Sequence, residues 1–114
     1  TYVTNGSAKA WVNFDGTGTI AARDSLNVSS LTDNGTGYYT VTKTSAMNNA
    51  NYAQSTAISA NFGTDAVFTH INTNNISLNE VAPTTTAFTL IIYGRTTAYQ
   101  DAKYLCVHVQ GDLA

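Results

Sequence analysis

The sequence is poor in cross-linking, chain-breaking and charged residues. Its 114 residues include a single cysteine, Cys106, and a single proline, Pro83. One cysteine excludes a disulfide within the chain. Only 11% of the residues are charged, and the five Lys and Arg residues are scattered rather than clustered. Binding to duplex nucleic acid requires a dense basic face that displaces counterions from phosphates, so we expect no nucleic acid partner.

Long apolar runs and catalytic motifs are also missing from the sequence. No run approaches the ~20 apolar residues that a membrane-spanning helix requires, and we therefore expect no membrane insertion. There is no Gly-x-Ser-x-Gly elbow, no His-Glu-x-x-His motif and no phosphate-binding glycine loop. Glu80 is the only glutamate, and most Asp residues lie in turn segments, where they commonly accept hydrogen bonds from backbone amides. A glycosidase needs two carboxylates across a cleft, so we expect neither enzymatic activity nor a cofactor.

The abundant residues favour strands and turns. The chain contains 19 Thr, 12 Asn and eight Gly, and Thr favours pleated strands whereas Asn and Gly favour turns. A hydrophobic content of 43% argues against a disordered chain. The length is that of one domain. The chain begins at Thr1 rather than Met, as we expect of the C-terminal piece of a longer protein.

Hydrophobic residues recur with a period of two and not with the 3.6-residue period of a helix. Ala10, Val12 and Phe14, for example, alternate with Trp11 and Asn13. The pattern predicts six to eight short strands separated by turns, which indicates an antiparallel β-sandwich, jelly-roll-like or lectin-like, over residues 8–114. Residues 1–7 are predicted to be a connector. The predicted strands span residues 8–14, 19–23, 38–43, 52–61, 67–71, 76–78, 87–93 and 103–110, and residues 27–31 are predicted to be a short extended stretch.

Two of the predicted late strands, 87–93 and 103–110, are apolar on both faces. One face of each strand is expected to pack in the sandwich core, and the other carries residues that are poorly suited to open water. Either loops of the same chain cover that second face, or neighbouring subunits do. The candidate subunit-interface residues, with the tryptophan of the first strand included, are Trp11, Ile91, Tyr93, Tyr104, Cys106 and His108.

Several segments resemble a module that recurs at the C-terminal end of phage and prophage tail-fibre proteins. The resemblance begins with Ala8-Lys9-Ala10-Trp11-Val12-Asn13-Phe14-Asp15-Gly16-Thr17-Gly18-Thr19 and continues through residues 27–37 and 39–41. It includes Asn49-Ala50-Asn51-Tyr52-Ala53 and ends at Gly111-Asp112. The similarity is tight up to about Ala53 and loose afterwards.

The resemblance implies a homotrimeric fibre-tip domain on the virion that contacts the host cell surface. Its receptor is expected to be a glycan or a protein, with carbohydrate the leading expectation. Three alternatives remain open: a structural trimerisation cap that binds no ligand, a free lectin-like protein, and a fragment of a polysaccharide depolymerase. Residues 54–86 are the most variable part of such modules, so the resemblance implies that ligand specificity resides there.

Two loops have the composition of a carbohydrate site, which uses an aromatic ring for apolar sugar patches and polar side chains for hydroxyls. The first is the loop 93–101, with Arg95, Tyr99 and Asp101 as the candidate ligand-binding residues. The alternative is an ordinary polar hairpin loop with a weak Arg95–Asp101 ion pair. The second candidate is the Asn-rich loop that contains His70 and Asn72.

Metal binding and glycosylation have weak sequence signals. Cys106 and His108 lie two residues apart on one strand face, but two ligands are too few for a zinc site without help from other copies. We therefore expect no metal and interpret both residues as packed on a sheet face or an interface. The four Asn-x-Ser/Thr sequons are expected by chance in a chain so rich in Asn and Thr.

Overall fold

The computed structural model describes residues 7–59, 67–74, 79–94 and 99–114. These residues form eight β-strands, and no helix occurs among them. Nor does the described part of the chain contain any helix that could span a membrane. The strands are β1 Ala8–Asp15, β2 Ala21–Leu26, β3 Val28–Gly35, β4 Tyr38–Lys43, β5 Ala53–Ile58, β6 Val67–Ile71, β7 Ala87–Gly94 and β8 Leu105–Gln110.

The strands form two four-stranded antiparallel sheets that pack together as a β-sandwich, as predicted. Sheet A has the strand order β2-β1-β8-β5, and sheet B has the order β3-β4-β7-β6. The chain passes between the sheets at β2–β3, β4–β5, β5–β6 and β7–β8. Consequently the two late apolar strands, β7 and β8, are central strands of different sheets.

The sandwich core lies between the sheets and is built by the inward side of each alternating strand. Phe14 and Tyr39 are both fully buried, and their rings meet edge to face with centroids 5.5 Å apart. Such aromatic pairs add to the stabilisation that apolar burial provides. The remaining core is mostly aliphatic, and the β7 and β8 contributions come from Phe88, Leu90, Ile92, Leu105, Val107 and Val109.

Most strand predictions are confirmed. β4 and β6 have the predicted bounds, whereas β2 begins and ends later than predicted, and its pairing with β1 contains a bulge. β3 extends to Gly35, beyond the extended stretch that is predicted for residues 27–31. The predicted strand at 76–78 and most of the connector at 1–7 lie outside the described residues.

Asn27 fixes the passage of the chain from sheet A to sheet B. Its backbone adopts a positive φ of 55° between β2 and β3, a conformation that asparagine tolerates better than most residues. The side-chain amide donates to the carbonyls of Lys9 and Ser45, and its oxygen accepts the Ser45 N–H at 2.6 Å. This asparagine therefore ties β1, the β2–β3 junction and the end of β4 together.

Lys43 is an unusual member of the core because its charged end points inward. The residue is 3% exposed, and its ammonium lies 4.1 Å from the centroid of the Tyr52 ring and 5.2 Å from that of Phe88. Among the described residues, Nζ has no hydrogen-bond partner. Burial lowers the pKa of this amine to about 8 because a low-dielectric surrounding disfavours the charged form.

Candidate functional site

The outer face of sheet A, named the open face here, carries aromatic and apolar side chains in adjacent cross-strand positions. Trp11 of β1 is paired with Leu26 of β2 on one side and with His108 of β8 on the other. His108 is in turn paired with Ser55 of β5. These four residues form one row across the sheet, which we call the Trp11 row.

Little of the part of the chain that the structure describes covers the open face. Every described strand belongs to one of the two sheets, and sheet B packs on the opposite, inner side of sheet A. Leu26 is 47% exposed, His108 is exposed, and Trp11 and Cys106 are half-buried. A face with a tryptophan and a leucine that the chain leaves partly in water is typical of a surface that binds another molecule.

The structure divides the six predicted interface residues between opposite sides of the sandwich. Trp11, Cys106 and His108 share the open face with Tyr104, so these four residues lie on one surface. Ile91 and Tyr93 lie on β7 in sheet B. The candidates on β7 and those on β8 therefore do not lie on one surface of the chain.

The prediction for Ile91 is also wrong in a second respect, because Ile91 has 0% exposure within its own chain. Loop segments return over the outer side of β7 on both sides of this residue. Thr89 donates from its hydroxyl to the carbonyl of Thr73, and the Tyr99 ring packs edge to face on Tyr93 with centroids 5.0 Å apart. The chain itself thus covers the second face of this strand, which was the alternative that the sequence left open.

A polar cluster surrounds Tyr104 at one end of the open face. The tyrosine is 51% exposed, and the guanidinium of Arg23 stacks on its ring with the central carbon 4.3 Å from the ring centroid. The Lys103 ammonium lies 5.9 Å from the same centroid. Arg23 also donates to the Asn13 amide oxygen at 3.4 Å and pairs with Asp15 at 3.7 Å. We call these five residues the Tyr104 cluster.

Backbone and turn contacts hold the Tyr104 cluster in place. The Asp15 carboxylate accepts hydrogen bonds from the Thr17 hydroxyl at 2.6 Å and the Thr17 amide at 2.8 Å. These two bonds, with help from Arg23 and Lys103, lower the pKa of Asp15, so the carboxylate stays ionised. The Tyr104 backbone extends the β5–β8 pairing, since its carbonyl accepts the Ser59 N–H at 3.0 Å.

The predicted ligand residue Asp101 forms hydrogen bonds within the fold. Its carboxylate accepts the Tyr39 hydroxyl at 2.6 Å and the Gly37 amide at 2.8 Å. The Tyr39 hydroxyl lies 3.1 Å from the carbonyl oxygen of Gly16. Burial, followed by the bond to Asp101, raises the pKa of Tyr39. Asp101 therefore anchors the segment before β8 to β4, and this role differs from the sugar-binding role that the sequence predicts.

The other predicted ligand residues are not gathered into one site. Tyr99 is half-buried against Tyr93, and Arg95 lies outside the described residues. His70 is exposed on β6. Asn72 lines a groove of about 550 Å³ with Glu80 and Pro83, among others, but its side-chain amide is paired in both directions with that of Gln54. Asn72 thus joins the ends of β6 and β5.

Two segments of the tail-fibre resemblance meet at one end of the sandwich. Asn49, Asn51 and Tyr52 line a groove of about 250 Å³ together with Gly111 and Asp112. The Asn48 amide donates to the Asp112 carbonyl at 2.7 Å. These two separated segments therefore support one another in the fold.

Metal-binding groups are dispersed in the described ranges. Among these residues, no three or more His, Cys, Asp or Glu side chains come together in a way that could hold a metal ion. Cys106 and His108 face the same side of β8, as predicted, and Cys106 is a free thiol.

The residues that sequence reasoning missed are Leu26, Arg23, Lys103 and Lys43. The sequence predicts strands at residues 8–14 and 19–23, and the pairing of β1 with the longer-reaching β2 places Leu26 beside Trp11. The bulge between Asn13 and Phe14 changes the register, and no local sequence signal fixes such a bulge. Comparison of the chain with family models, curated proteins and solved structures found no match.

Proposed function

We propose that the chain is the receptor-binding tip domain of a bacteriophage tail fibre. It assembles as a homotrimer on the outside of the virion and attaches to a host-surface receptor, most simply a glycan. The resemblance of residues 8–53 to such modules motivates this proposal. The single structural observation in its support is the open face, where Trp11 and Leu26 stand side by side and partly exposed.

The Trp11 row is the contact that we assign to the trimer. Apolar area removed from water contributes about 25 cal/mol per Å², and tryptophan is among the residues that dominate the energetics of protein interfaces. Closed threefold symmetry lets the three copies bury this row around one axis, with no copy left unpaired. Three identical ligand sites on one rigid tip then bind a surface that displays many copies of a receptor.

Two carboxylates of the described residues have structural partners, which supports a binding role over that of a depolymerase. In the described residues no three acidic, cysteine or histidine side chains converge to hold a metal, and Glu80 is exposed. Asp101 bonds Tyr39 and Gly37, and Asp15 bonds Thr17 and Arg23. These two carboxylates serve the fold and the Tyr104 cluster.

Adhesion to bacterial cells tests the proposal. The fluorescently labelled wild-type domain is expected to coat cells of at least one strain in a panel of bacteria. Trp11→Lys places a charge in the Trp11 row and is expected to reduce adhesion by about 100-fold, because separate copies lose the avidity of linked sites. Cell-bound fluorescence measured by flow cytometry gives the result.

Phe68→Lys is the matched control. Phe68 is an aromatic residue that is 52% exposed and lies on β6 in sheet B, so this change adds the same charge on the opposite sheet. The control is expected to adhere like the wild type. Equal adhesion of Trp11→Lys and wild type would contradict the role that we give to the open face.

A further inference from the structure

We propose that the Tyr104 cluster is a subsite for an acidic sugar, with the sugar ring on Tyr104 and its carboxylate near Lys103 and Arg23. This inference rests on the proposed function and names the chemical class of receptor that it takes. Three observations carry it: an exposed aromatic ring, two cations beside that ring, and a set of hydrogen-bonding groups already held in position.

The Tyr104 ring provides the apolar platform. Tyr104 as a residue remains 51% exposed although Arg23 stacks on its ring, so it keeps surface that a ligand can contact. Its backbone is fixed by pairing with Ser59, which reduces the ordering cost of binding. Aromatic rings that combine an apolar body with a polar tip suit a sugar, which has apolar C–H patches and polar hydroxyls.

The charges beside the ring favour a carboxylate on the ligand. The protein as a whole has a net charge of −2 with only five basic residues, yet Arg23 and Lys103 both lie within 6 Å of the Tyr104 ring centroid. Asp15 neutralises part of this charge through its contact with Arg23 at 3.7 Å. Lys103 is exposed, with its ammonium 5.9 Å from the ring centroid, where an anionic group of a stacked sugar reaches it.

The remaining members of the cluster orient Arg23. Its guanidinium is held by Asn13 and by Asp15, whose own carboxylate is fixed by Thr17. A planar guanidinium that is positioned in advance binds a carboxylate with geometric specificity that a mobile lysine lacks. Asp24, the next residue along β2, accepts the Ser25 amide at 2.9 Å.

The cluster and the Trp11 row are separate parts of the open face. Trp11 and Asp15 are four residues apart on β1, a span of about 13 Å along an extended strand. A trimer contact centred on Trp11 is therefore compatible with a ligand at Tyr104.

Titration of the ¹⁵N-labelled domain by nuclear magnetic resonance tests the subsite with defined probes. Glucuronate is expected to shift the amide signals of Arg23, Lys103 and Tyr104, with a Kd of roughly 1 mM or weaker. Glucose supplies the ring without the charge, and acetate supplies the charge without the ring. Both are expected to cause at least fivefold smaller shifts at the same concentration.

Three variants complete the test. Tyr104→Ala is expected to abolish the glucuronate shifts, and Lys103→Gln is expected to weaken binding about threefold, as for a partly exposed ion pair. Lys9→Gln makes the same change of charge near the far end of β1 and is expected to bind like the wild type. Glucuronate shifts that are absent from the cluster, or equal shifts with glucose or acetate, would overturn the proposal.

Cell adhesion of the same variants distinguishes the two proposals. If the wild type adheres to cells and Tyr104→Ala adheres equally well, the acidic-sugar assignment is overturned while the proposed function stands. If Tyr104→Ala loses adhesion although its spectrum shows an intact fold, both are supported.

Discussion

Lys43→Met is expected to raise the free energy of unfolding at pH 7 by about 2 kcal/mol. A folded-state pKa of about 8, compared with about 10.4 in an unfolded chain, corresponds to a cost of about 3 kcal/mol for keeping the buried amine protonated at pH 7. Loss of the contacts with the Tyr52 and Phe88 rings offsets about 1 kcal/mol of the gain. Methionine has a similar shape and no charge to desolvate.

The pH dependence of wild-type stability has a definite sign. Between about pH 8 and pH 10, the unfolded chain holds a proton on Lys43 that the folded chain has released. The free energy of unfolding therefore rises with pH in this window, by at most about 1.4 kcal/mol per pH unit, and below pH 8 this group contributes no further change. Burial raises the pKa of Tyr52 to about 12, so above pH 10 the unfolded chain loses tyrosine protons first and stability falls.

Urea unfolding at several pH values between 7 and 10 measures both effects. Lys43→Met is expected to be nearly insensitive to pH in this window. Lys9→Met, which removes a lysine from the surface of β1, is expected to keep the pH dependence of the wild type. If Lys43→Met is less stable than wild type at pH 7 and the wild-type stability does not rise above pH 8, the ammonium is solvated in the folded protein and our account of the core is wrong.

Gly37→Ala is expected to destabilise the protein by about 4 kcal/mol. Gly37 has a φ of 67°, and a Cβ atom there would lie 2.7–2.8 Å from backbone atoms of Gln100 and Ile92. An alanine therefore bears the cost of a left-handed backbone and an overlap with atoms that do not move freely. The overlap also separates the Gly37 amide from Asp101, with which it bonds at 2.8 Å.

Gly18→Ala separates the two costs of the Gly37 substitution. Gly18 has a similar φ of 60°, but nothing lies within 4 Å of the position that its Cβ would take. Gly18→Ala is expected to lower the free energy of unfolding by only about 1 kcal/mol, as measured by urea unfolding. Similar losses at the two positions would mean that backbone conformation alone matters and that the 99–102 segment does not pack on Gly37 as described.

The sequence predicts the strands well because their information is local. Alternation at Ala10, Val12 and Phe14 requires only that one side of β1 is buried, and the structure buries all three. The turn-rich segments likewise depend on residues that tolerate a positive φ, as Gly18 and Gly37 do. Both signals exist within a few consecutive residues.

The candidate site was predicted only in part because it depends on long-range pairing. Ile91 and Cys106 have similar apolar surroundings along the chain, yet β7 and β8 belong to different sheets. Local periodicity cannot assign a strand to a sheet or say which loop covers its second face. Asp101 is predicted to be a ligand residue for the same reason. Its hydrogen-bond partners Gly37 and Tyr39 lie more than 60 residues earlier, so the local sequence does not reveal its structural role.

Sedimentation equilibrium of the wild-type domain at micromolar concentration tests the central claim most directly, namely that exposed apolar residues of the open face join copies of the chain. We predict a mass three times that of the 12.1 kDa chain. A mass of one chain at all concentrations would contradict the account, because Trp11 and Leu26 would then remain in water.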